Sequence, residues 1–149
     1  MTSWRQTTSA AAQEDLDALF DTAVNAAAQE LATEGEFLPF AIAIDDNSEP
    51  RMIATYAPDT DEQPSAPERQ AQLLTILRNQ APSLRAAAIV SDVRVAETRT
   101  DAIEIVVEHV DGQAIRLLVP YRLVPGDSLD IDTDATVGNT AAPRIWAHP

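Results

Sequence analysis

Two histidines, His109 and His148, are the residues from which a general base near neutral pH would first be drawn. His109 ends the run Asp101 to Val110. There Ile103, Ile105 and Val107 alternate with Glu104, Val106 and Glu108, the period of a strand. Pairing that run with the preceding one, Arg85 to Ala96, brings His109 toward Ser91. A serine beside a histidine, with a carboxylate to orient the ring, is the minimum for nucleophilic catalysis. Asp92 is the acid at hand, but it follows Ser91 directly on a strand and so points to the other face. No glycine pair near Ser91 supplies backbone donors for an oxyanion. The reading is therefore a histidine at the sheet rim with a satisfied hydrogen bond, and no catalytic residue. A pocket at Ser91 and His109 is the alternative. His148 sits in the tail beside Trp146.

Other carboxylates are candidate cation ligands. Asp130, Asp132 and Asp134 alternate like the start of a calcium loop, which needs glycine at its sixth position and glutamate at its twelfth. Ala135 and Ala141 stand there instead. Asp45 and Asp46 in one turn, and Asp59, Asp61 and Glu62 in a loop, offer only weak cation binding. The four glycines, Gly35, Gly112, Gly126 and Gly138, form no phosphate-binding motif. The chain is accordingly expected to use no metal and no cofactor. Pro39-Phe40 and Pro120-Tyr121 each set an aromatic after a proline beside a strand, which suits edge termination and core filling.

Composition limits the partners. The 149 residues include 24 acids and 10 basic residues, all arginine, for a net charge of -14. Nucleic-acid backbones and anionic membranes are disfavoured as partners by that charge. The acids are scattered, and arginine without lysine is a signature of a GC-rich, bacterial host as much as of a basic partner. No apolar run approaches the roughly 20 residues that cross a bilayer. Cysteine is absent, so there is no thiolate chemistry and no disulfide framework. A cytoplasmic location is the simplest expectation.

The elements that must position these residues follow from periodicity. Residues 1–8 read as a flexible lead-in. Ser9 caps a helix to about Thr33, whose stripe is Leu16, Leu19, Phe20, Ala23, Val24, Ala27 and Leu31, with Gly35 as its stop. Strands at Phe40 to Asp45 and Arg51 to Ala57 form a hairpin. Pro67 opens a second helix that stops before Pro82. Three strands follow, Arg85 to Ala96, Asp101 to Val110 and Gln113 to Val124. Residues 9–124 make one α+β domain, and residues 125–149 read as an acidic, mobile tail.

Register sets the faces. A three-residue loop, Val110-Asp111-Gly112, puts Ile103, Ile105 and Val107 with Ile115, Leu117 and Val119, and Gly112 in the left-handed conformation. A Thr98-Arg99-Thr100 connection adds Ile89, Ser91, Val93 and Val95 to that face and sets Arg94 opposite Glu104. The other face then gathers Asp92, Arg94, Glu104, Glu108 and Arg116 as a half-polar surface. The fold expected is a two-layer sandwich: a five-stranded, mainly antiparallel sheet, order α-β-β-α-β-β-β, with both helices on the apolar face.

Phe37-Leu38-Pro39-Phe40, Asp92-Val93-Arg94, Asp101-Ala102-Ile103, Glu108-His109, Asp111-Gly112 and Pro120-Tyr121 together resemble a family of small bacterial domains of unknown function, over about residues 10–124. The element order is also similar to that of roadblock and profilin-like scaffold domains, a topological likeness that transfers no site residue. The function expected is a non-enzymatic interaction module that binds a protein partner or itself as a homodimer through the half-polar face. The alternative is a small enzyme or ligand-binding protein with a pocket near His109.

Overall fold

The computed structural model describes residues 10–45, 50–54, 65–96, 98–124 and 128–146. The lead-in with Ser9, the acids Asp46, Asp59, Asp61 and Glu62, and His148 lie outside the described residues.

Helix α1, Ala10–Glu34, forms where the three- and four-residue stripe predicts it. Leu16, Leu19, Ala23, Ala27 and Leu31 are buried, and Phe20 and Val24 flank them. Each buried leucine contributes about 1.5–3 kcal/mol over an exposed one. Gly35 ends the helix at φ 78°, and its N–H donates to the Leu31 carbonyl at 2.9 Å. Strand β1, Phe40–Asp45, and strand β2, Pro50–Ala54, form the early hairpin. Helix α2, Ala66–Gln80, begins at Ser65, whose hydroxyl accepts the Glu68 N–H at 3.3 Å, and carries Pro67 in its first turn. A single 3₁₀ turn, Ala81–Ser83, holds Pro82 and closes it.

Strands β3, Leu84–Val95, β4, Thr100–His109, and β5, Ala114–Val124, make the meander. Two more strands, β6, Ser128–Ile131, and β7, Val137–Thr140, occupy the segment expected to be a tail. All pairings are antiparallel, in the order β2-β1-β3-β4-β5-β6, with β7 also on β5. β6 pairs with Tyr121 to Val124 and β7 with Ile115 to Leu118. They are two halves of one return strand, separated by the 3₁₀ turn Thr133–Ala135. The expected five strands are therefore seven.

The β4–β5 register is the expected one. Ile103 lies opposite Val119, Ile105 opposite Leu117 and Val107 opposite Ile115. Gly112 turns the chain at φ 102°. The β3–β4 register differs from expectation by an odd number of residues, which exchanges the faces of β3. Ser91, not Arg94, lies opposite Glu104, and the closing pair is Val95 with Thr100. Ala86, Ala88 and Val90 thus join Ile103, Ile105 and Val107 beneath α1, while Ile89 and Ser91 face the other way. The reason is that β3 is apolar on both faces, so burial does not choose between them.

The two helices do not share a face. The core beneath α1 contains Phe40, Ile42 and Ile44 of β1, whereas Ala41 and Ala43 of the same strand pack with Leu73 and Leu77 of α2. A strand buried on both sides requires a cover on each. Around β1 and β3 the molecule is therefore three layers, helix on sheet on helix, in place of the expected two-layer sandwich.

Candidate functional site

The exchange of faces on β3 divides the expected site. Asp92 and Arg94 lie on the α1 side of the sheet, and Glu104, Glu108 and Arg116 lie on the α2 side. Ser91 and His109 fall on opposite faces as well and do not form a pair. The Ser91 hydroxyl accepts from the Gln70 amide of α2 at 2.8 Å.

His109 is 4% exposed and joins α1 to the sheet. The Asp111 N–H donates to its Nδ1 at 3.1 Å, which places the ring proton on Nε2, 3.0 Å from Asp15 Oδ2. Arg85 completes the group, donating to both Asp15 oxygens at 2.7 and 3.1 Å. Burial pushes the Asp15 carboxyl upward, but the hydrogen bonds from Arg85 and His109 outweigh it and hold Asp15 below its ordinary range. Both ring nitrogens and both carboxylate oxygens are engaged, so this group serves as a clamp on α1. Sequence reasoning missed Asp15 and Arg85. One signal was there: Ala12, Asp15 and Leu19 continue the apolar stripe, and an acid on a buried stripe needs a partner.

Asp92 sits beside a second partner that the sequence did not indicate. The Tyr121 hydroxyl donates to its Oδ1 at 2.5 Å, and the Phe37 N–H to its Oδ2 at 3.4 Å. Burial raises the Asp92 carboxyl above its ordinary value despite both donors. Burial and the adjacent Asp92 push the Tyr121 hydroxyl upward, so it stays a donor. A cleft of about 620 Å³ opens here between the end of α1 and the start of β1, with Glu34, Phe37, Phe40 and Met52 in its walls. Arg94 lies nearby on β3 and pairs with Asp101 at 3.1 Å, not with Glu104.

Among the described residues, α2 and residues 144–146 cover only part of the second face of the sheet. Helix α2 packs over β1 and β3. Beyond it, Val106 of β4 and Leu118 of β5 are half-buried. Val137, directly opposite Leu118, is 54% exposed. Glu104 lies directly opposite Leu118, and its carboxylate accepts from Arg116 Nε at 2.7 Å. The result is an apolar strip crossed by an ion pair. Glu108 is 4% exposed on the same face, and its carboxylate accepts the backbone N–H groups of Arg144, Ile145 and Trp146 at 2.8–3.0 Å.

Among the described residues, no group of three or more histidine, aspartate or glutamate side chains is placed to hold a metal ion. No helix among them is long and apolar enough to cross a membrane. No family model, curated protein or solved structure matches this chain.

Proposed function

We propose that this protein is a non-enzymatic interaction module of a bacterial cytoplasm that associates through the uncovered half of its second sheet face, with a second copy of itself as partner. The observation that carries this reading is the strip of half-buried Val106 and Leu118 and exposed Val137, which α2 does not cover among the described residues and which Glu104 and Arg116 border. An apolar patch rimmed by polar groups is the usual composition of an association surface. The patch carries one acid and one base, so it adds nothing to the repulsion that the net charge of -14 sets between two copies. A two-fold dimer uses the same patch on both copies, so its Glu104–Arg116 pair meets the same pair of the partner copy around a shared apolar centre. The Ser91–His109 pairing that motivated an enzymatic alternative has no geometric support.

Sedimentation velocity over a range of concentrations tests the proposal. The wild-type protein is expected to pass from monomer to dimer, and Leu118→Arg to remain monomeric at every concentration with an unchanged far-ultraviolet spectrum. A wild-type protein that stays monomeric at the highest concentration overturns it, as does a Leu118→Arg variant that dimerises as well as the wild type.

A further inference from the structure

Residues 141–146 leave β7 and run across the second face beside α2, and the groove they border has a volume of about 250 Å³. Its walls include Leu74 of α2, Ile89 of β3 and Val106 of β4, with Glu108 at one end. The contacts that hold this strap fall mainly on its backbone. Glu108 accepts three successive N–H groups, from Arg144, Ile145 and Trp146. Arg78 Nε donates to the Arg144 carbonyl at 2.8 Å. Two side chains add to these: Ile145 and Trp146 pack on the cluster of Leu73, Leu77 and Leu84, and the indole N–H reaches the Ala81 carbonyl at 3.4 Å.

A buried carboxylate with three backbone donors converging on it is a receptor for main chain. Left empty, it loses charge-assisted hydrogen bonds in a site shielded from water, and that loss is costly. The strap that fills it is tethered through β7, whose four residues, Val137–Thr140, are all exposed. Its attachment therefore depends on the β5 ladder and on the groove, with little apolar burial of its own at β7.

We propose that the seat this strap fills, Glu108 with the Leu73 and Leu77 cluster beside the cavity, is a peptide-binding groove and that residues 141–146 are its resident, displaceable occupant. The partner it fits is an extended protein segment with an aliphatic residue followed by an aromatic one, presenting three successive N–H groups to Glu108. A proline two positions before the aliphatic residue is compatible, as Pro143 precedes Arg144 and Ile145 in the strap. Main-chain recognition tolerates varied side chains at other positions. The inference rests on reading the second face as a docking surface, and it names a specific ligand class at the border of that face.

The test uses the full-length protein and a dye-labelled, amidated peptide of residues 140–146, with binding read by fluorescence anisotropy. Ile145→Asp sets a carboxylate against the Leu73 cluster and near Glu108 and so weakens the strap's hold while keeping Glu108. A receptor occupied by its own strap binds in proportion to the vacant fraction, so Ile145→Asp is expected to bind the peptide about ten-fold or more tightly than the wild type. Adding Glu108→Gln to that variant is expected to remove most of the gain. Hydrogen exchange provides a second readout without the peptide: the amides of residues 144–146 are expected to be protected in the wild type and unprotected in Glu108→Gln. Equal peptide affinity in wild type and Ile145→Asp overturns the proposal, and so does amide protection that survives Glu108→Gln. Leu118→Arg separates the two readings. A dimer lost there with peptide binding intact leaves both standing, whereas peptide binding absent in every variant sinks this inference alone.

Discussion

Asp15 and Asp92 are two carboxylates under one sheet, and their surroundings drive them in opposite directions. Asp15, held by Arg85 and His109, is depressed below its ordinary value of 3.8. A depressed folded pKa means the unfolded chain binds the proton more readily. The stabilisation from Asp15 is therefore present above the unfolded value and is lost as pH falls through the folded one. Asp92 is raised by burial. Its folded form binds the proton more readily, so its contribution weakens as pH rises through the window between its ordinary and raised values. Asp15→Asn is expected to cost about 1.5–3 kcal/mol at neutral pH, the range for hydrogen bonds to charged groups. The gap from wild type is expected to close as pH drops below the ordinary carboxylate range. Asp92→Asn is expected to show the reverse trend, its deficit shrinking as pH rises through Asp92's window. Urea unfolding of both variants at a series of pH values measures this; a gap for Asp15→Asn that stays constant into acid would refute the assignment. Little of this pairing was legible beforehand, because Asp15 and His109 are 94 positions apart and no local pattern joins them.

Strand β3 shows where an element's sequence stops determining its geometry. The β4–β5 hairpin was legible because one face of each strand alternates cleanly and Gly112 marks the turn. The β3–β4 hairpin offers neither signal. Ala86, Ala88 and Val90 are as apolar as Ile89, Val93 and Val95, so either face could be buried. The turn has no glycine, and Arg99 takes the left-handed conformation instead, at φ 55°. The position of α2 was obscured for a related reason. Glu104, Glu108 and Arg116 read as a half-polar face open to solvent or a partner, yet Glu104 and Arg116 pair with each other and the strap satisfies Glu108, while Ser91, expected on the apolar face, bonds Gln70 of α2. A cysteine-free chain allows a direct test of register. Directly opposite antiparallel residues have Cα atoms about 4.5–5.5 Å apart, within reach of a disulfide. Arg94→Cys with Asp101→Cys is expected to cross-link under mild oxidation, losing an exposed ion pair worth under about 1 kcal/mol and the Arg94 hydrogen bond to the Arg99 carbonyl. Arg94→Cys with Glu104→Cys, the pairing expected from sequence, is expected to stay reduced. Thiol titration and intact mass read the outcome, and the opposite pattern restores the sequence-based register.

At the scale of the whole molecule, charge and layering pull against each other. The three layers bury both sides of β1 and much of β3, while 24 acids face 10 arginines over the chain. Among the described residues, Arg51, Arg85, Arg94 and Arg116 form ion pairs with Asp45, Asp15, Asp101 and Glu104. Salt therefore acts in two senses. It weakens the exposed pairs, each worth under about 1 kcal/mol, and it relieves repulsion among the surplus carboxylates. The Arg85–Asp15 pair is largely shielded, as Asp15 is only 10% exposed, and is screened least. With a net charge of -14 the relief of repulsion is the larger effect. Raising sodium chloride from about 0.01 M to about 0.1 M shortens the Debye length from about 30 Å to about 10 Å, below the spacing of many surface charges. The melting temperature at pH 7 is expected to rise by a few degrees, each roughly 1 kcal/mol corresponding to about 3 °C for a chain of this size. Near pH 4.2, the isoelectric point of the sequence, the surplus is neutralised and the rise is expected to vanish or reverse, because only the ion pairs remain to be screened. Scanning calorimetry at both pH values decides it: a melting temperature that falls with salt at pH 7 means the ion pairs outweigh the surplus, and the acidity then costs the fold nothing.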